Sequence, residues 1–204
     1  QVASLSVTSL TSLNATQIGA FTTTQIGALQ RTQLAALDTT TLSALDETQM
    51  SALNATQIKA LTATQISGLT AEDVAEMTTT QIANLAATQV QALTSTNMAS
   101  MADTQVAAFT TSQVKAFSAS TIAAFTDTQI AALTTTQVSA LGATQIAGLT
   151  ETNVAAMTNT QIGAITATQI ASLTATAVSG FDSAQFASLS TTQVKALTTT
   201  QMSA

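Results

Sequence analysis

The densest group of side chains capable of chemistry is acidic: Glu72, Asp73 and Glu76. A calcium ion takes about six to eight oxygen ligands. No Asp-x-Asp-x-Asp-Gly loop surrounds the group, so it reads as charge on a helix terminus rather than a metal site. Nucleophilic catalysis has no better footing. Serine and threonine abound, but the chain has no histidine or cysteine to act as base or thiolate, and no lysine beside a plausible partner. Asn14-Ala15-Thr16 and Asn54-Ala55-Thr56 match the N-glycosylation sequon, yet both asparagines fall at a position that capping explains equally well. Catalytic, cofactor-binding and metal sites are therefore all expected to be none, and the chain is not expected to be an enzyme.

Charge narrows the partners. The net charge is −6, and the basic residues are Arg31, Lys59, Lys115 and Lys195, widely scattered along the sequence. No basic stripe exists to track a phosphate backbone, so no nucleic-acid partner is expected. Strictly apolar runs reach only about four residues, as at Ile130–Leu133, whereas a membrane span needs roughly 20; no membrane insertion is expected. With 46% apolar and only 7% charged residues, the chain has the material for a core rather than the composition of a disordered segment.

What positions these residues is an eight-residue repeat that runs from Gln1 to Ala204 without insertion or deletion. With a at Thr62 and h at Leu69, position e is apolar in all 26 copies and h in all 25. Position d is Gln in 19 of 26 copies and c is Thr in 21 of 25; f and g are mostly Ala, Ser or Gly. The six methionines all lie at e or h, which makes them core filler. One continuous helix is excluded, because eight residues at 3.6 per turn rotate the apolar stripe by about 80° per copy. Position a shows what replaces it. Thr gives way there to Asp38, Asp46, Asn54, Asp182 and Gly142, a set of good helix N-caps, with Gln30, Ala86 and Ala102 as exceptions. Gln three residues later completes a capping box, and the apolar residues flanking the cap at h and e form a hydrophobic staple. Glu47, Asp103, Asp127 and Glu151 open their octads while Lys59, Lys115 and Lys195 close theirs, as the helix dipole favours; Arg31 at b and Glu76 at g run against it.

The expected fold class is all-α: a solenoid of very short capped helices, one per octad, each too short to stand alone and held by e and h packed inward. The alternative is a β-solenoid, since Thr, Ile and Val favour strands; the three-residue step from e to h breaks strict alternation. Copies lacking Gln at d are Ser9, Thr41, Asp73, Asn97, Thr121, Asn153 and Ala177, a mean spacing of 28 residues, which implies about 3.5 octads per turn. Residues 1–204 are expected to be a single continuous array and, starting and ending inside a repeat, a segment of a longer one. The Thr at c exceeds what capping requires, and hydrogen bonds between turns, together with Gln at d, are an expected use for it.

Thr23-Thr24-Gln25-Ile26-Gly27-Ala28-Leu29 resembles the octapeptide arrays of large bacterial secreted and surface proteins, and the resemblance covers the whole chain. It implies an extracellular structural role and carries no activity. The opening Leu-Thr-x-x-Gln-Val of transcription-activator-like effector repeats is also similar over six residues, but their base-reading loop, basic residues and longer period are missing, so DNA binding does not carry over. The function expected is mechanical: a rod, filament, stalk or surface layer built by self-association, the likely partner being another copy of the chain. The alternatives are an ice-binding protein using regular Thr arrays, or a repeat scaffold for protein or glycan.

Overall fold

The computed structural model describes residues 1–203. After a 3-10 turn at Val2–Ser4 come 25 α-helices of four to six residues, and no strand occurs among the described residues. Each helix begins at position b of an octad and follows a cap at position a. Thr62 is representative: its backbone is extended (φ −76°, ψ 159°), its side chain accepts from the Gln65 amide, and Gln65 Oε1 accepts from the Thr62 amide. These two bonds satisfy donors that the first turn of a helix leaves without partners. Gln30, Ala86, Ala102 and Gly142 supply no capping side chain, but the Gln three residues on still accepts from each of their amides.

The chain divides into two compact units, Gln1–Met101 and Ala102–Ala204, each a helical solenoid. In the first unit, helix Val7–Thr11 packs on Arg31–Ala36, and Ala63–Gly68 on Ala87–Ala92. In the second, Asp103–Ala107 packs on Asp127–Ala132, and Ala167–Ser172 on Thr191–Ala196. Every partner is the third helix along. The core is the expected one: interior e residues such as Ile66, Met98 and Ile146 are completely buried, and interior h residues such as Leu61 and Leu141 nearly so. Phe109, Phe117 and Phe125, three successive h positions, stack edge to face with ring centroids 4.9 and 5.6 Å apart, a geometry favoured by the ring quadrupole.

No described residue has a positive φ, so glycine serves here for space alone. A Cβ on Gly148 would lie 2.7 Å from the carbonyl oxygen of Ala119, one turn away, whereas one on Gly163 would meet nothing within 4 Å.

Candidate functional site

The residue that joins the turns is the Gln at d. Its side chain is buried in most copies and makes three hydrogen bonds at once. Gln57 Oε1 accepts from the Asn54 amide at 2.9 Å, while Nε2 donates to the carbonyls of Ile26 and Leu29, both at 2.9 Å. Those acceptors lie 31 and 28 residues back, at the C-terminal end of an earlier helix, where carbonyls are left over when the helix stops. One amide thus closes the N-terminus of its own helix and the C-terminus of another. The pattern recurs in the first unit at Gln33, Gln65, Gln81 and Gln89. In the second it recurs at Gln137, Gln145, Gln161, Gln169, Gln185, Gln193 and Gln201. The 28-residue step is three and a half octads, the turn length expected from the substitutions at d.

The copies without Gln show why the residue is chosen. Asn97 and Asn153 keep the bond to the cap amide and the one 28 residues back, to Leu69 and Phe125, but no bond to the carbonyl 31 residues back is present; one methylene fewer shortens the reach. Asp73 has no proton to donate. Its Oδ2 accepts from the Thr70 amide, and the turn below answers with a donor: Ser43 Oγ, at 2.6 Å. Thr41, Thr121 and Ala177 keep buried places without the long amide.

Position c behaves differently from expectation. All its residues are exposed, and the hydroxyl contacts they make are local, such as Thr48 to Asp46 and Thr152 to Thr150. Among the described residues no threonine at c bonds to another turn. The stitching falls to Gln alone because c points to solvent while d points along the stack.

The candidate acidic group resolves into separate roles. Asp73 is the buried partner of Ser43, Glu72 is exposed, and Glu76 ends its helix with Oε2 buried and unpartnered. Burial, and then the neighbouring charges of Asp73, Glu72, Glu47 and Asp46, push the Glu76 carboxyl above the ordinary glutamate range. The described residues hold no group of three or more metal-ligating side chains arranged for an ion. Bonds from Thr41 hold Asp38 below the usual carboxylate range, and bonds from Thr48 and then Gln49 do the same for Asp46. Asn14 and Asn54 both cap helices, accepting backbone N–H bonds through Oδ1. Arg31, the other charge out of place on the dipole, shares a shallow cleft of about 360 Å³ with Lys59, one turn on.

A family model described as the ALTTAQ repeat matches residues 106–143. Within that stretch Ala132-Leu133-Thr134-Thr135-Thr136-Gln137 spells the repeat with a single change, Thr for Ala at position c. The chain is therefore similar to a recognised short-repeat array, and the slot that differs is the one whose side chain the fold does not use. No curated protein matches the chain.

The apolar stripe is incomplete at two places. In the first turn of the first unit, Leu5 is exposed and Leu13 and Phe21, also at h, are half-buried; with Val2, Gln1 and Gln25 they line a socket of about 200 Å³. In the last turn of the second unit, Phe186, Val194 and Met202, all at e, are 38, 40 and 59% exposed. Residues at e thus depend on the following turn for cover, and residues at h on the preceding one. No described helix is long and apolar enough to cross a membrane.

Proposed function

We propose that the chain is a structural, non-catalytic repeat protein that works outside the cell, self-associating into a filament, stalk or surface layer. The observation that carries this reading is the use to which the repeat puts its groups. The only residue type placed for directed hydrogen bonding in every turn, Gln at d, is consumed in joining turns, and the apolar positions are consumed in the core. What remains for the surface is a nearly uncharged coat of Thr and Ala, which sets little electrostatic repulsion between copies. The resemblance to octapeptide arrays of bacterial secreted and surface proteins supports the extracellular placement. Sedimentation velocity and negative-stain microscopy of the purified chain over rising concentration test the reading. Growing assemblies are expected; a strictly monomeric species at millimolar concentration contradicts it.

A further inference from the structure

We propose that copies of this chain associate head to tail, the last turn of one receiving the first turn of the next as if the solenoid continued. This rests on the self-association reading and specifies its surface, polarity and partner. Three features converge. The first is shape and apolarity: a socket at the first turn, lined by Leu5, Leu13 and Phe21, and projecting side chains at the last, Phe186, Val194 and Met202. Interior copies of those same positions bury each other almost completely, so the two faces are the separated halves of an interface the molecule already makes many times.

The second is hydrogen bonding of opposite kind. Gln17 and Gln25 accept from their cap amides, as interior glutamines do, but Nε2 of neither has a partner among the described residues. At the other end, the carbonyls of Val194 and Leu197 stand where interior carbonyls accept a glutamine amide, and no described side chain reaches them. The first face offers donors and the last offers acceptors. The third is register. Continued in phase at the next free octad, the interior rule of 31 and 28 residues sets Gln17 of a second copy on Val194 and Leu197, and Gln1 on Val178 and Phe181. A face that fits only its opposite gives a heterologous contact, which propagates rather than closing into a dimer.

Two variants separate this arrangement from its rivals. Gln17→Glu with Leu5→Lys keeps the cap acceptor at residue 17, removes its donor and charges the first face. Val194→Lys with Met202→Lys charges the last face. All four residues are exposed, so far-ultraviolet circular dichroism and melting temperature should match the parent and confirm folding. Sedimentation equilibrium should show concentration-dependent growth for the parent and association weaker by about 30-fold or more for each variant alone, the order expected when an interface anchor is lost. An equimolar mixture of the two should recover one dimer and nothing larger, because only one pair of intact faces remains. Growth unchanged in both variants would overturn the proposal while leaving self-association standing. A single variant that stops at a dimer would show like-with-like pairing and also overturn it. A parent that stays monomeric would remove both.

Discussion

Replacing Gln65 isolates the contribution of the stitch. The side chain is 3% exposed; Oε1 accepts from the Thr62 amide at 2.8 Å, and Nε2 donates to Leu34 at 2.7 Å and Leu37 at 2.8 Å. Gln65→Leu preserves approximate volume and leaves one donor and two acceptors without partners. Each buried orphan costs about 1–3 kcal/mol, and the added apolar burial returns roughly 1.5 kcal/mol, so a net loss of about 3 kcal/mol is expected. Gln65→Asn should copy Asn97, keeping the cap bond and the one to Leu37 and losing the one to Leu34, at roughly 1 kcal/mol. Gln65→Glu keeps the cap acceptor but aims a carboxylate at two carbonyls. Its cost at neutral pH should rival that of Leu and shrink as acid protonates the group, because burial and the facing carbonyls both raise its pKa. Repeat arrays need not unfold in one step, so the assay is local: native-state hydrogen exchange at the amides of 62–69 and of 34–37. Protection should fall in the order Gln, Asn, then Leu, and in both segments together. If all three variants match the exposed control Thr64→Ala, the glutamine does not hold the turns and the reasoning is wrong.

Other outcomes follow from single positions. Glu76 has a raised pKa, so the native state binds its proton more tightly than the unfolded chain, and stability should fall as pH rises from the ordinary glutamate value through the raised one; Glu76→Gln should flatten that slope and raise the melting temperature at pH 7. Asp38 and Asp46 act oppositely: their depressed values mean stability is lost as pH falls through them, and Asp46→Asn should weaken that acid dependence. Gly163→Ala should stabilise by roughly 0.4–1 kcal/mol through the unfolded chain, whereas Gly148→Ala, facing the Ala119 carbonyl, should destabilise; denaturant melts of the pair read the contrast. Ala86→Thr supplies a missing cap oxygen and should add about 0.5–2 kcal/mol of local stability by hydrogen exchange. With turns of three and a half octads, Thr at c stands over position g of the turn before, so threonines do not stack on adjacent turns and no thermal hysteresis is expected in an ice-growth assay.

Much of this fold was legible in the sequence because its causes are local. The cap set at position a, Gln three residues on and apolar e and h each state where a helix starts and which side is buried. The 28-residue turn was legible from a different direction: the seven departures from Gln at d mark the ladder by interrupting it. What stayed out of reach depends on contacts between residues far apart in sequence. Nothing near Asp73 announces that Ser43 will answer it, and nothing near Glu76 beyond its wrong place on the helix dipole announces a buried, unpartnered oxygen. The Thr at c misled for a related reason. Its regularity equals that of Gln, but regularity at an exposed position carries no structural demand, whereas at d it carries three hydrogen bonds. The end faces were invisible to the pattern, since Met202 and Met98 occupy the same octad position and differ only in whether a following turn covers them.

The ladder of side-chain bonds spanning 28 residues is most directly tested by nuclear Overhauser contacts from a glutamine side-chain amide, with Gln65 assigned by comparison with Gln65→Asn. Slowly exchanging Nε2 protons with cross-peaks to the α-protons of Leu34 and Leu37 are the expected result. Rapid exchange with contacts confined to residues 61–69 would contradict it.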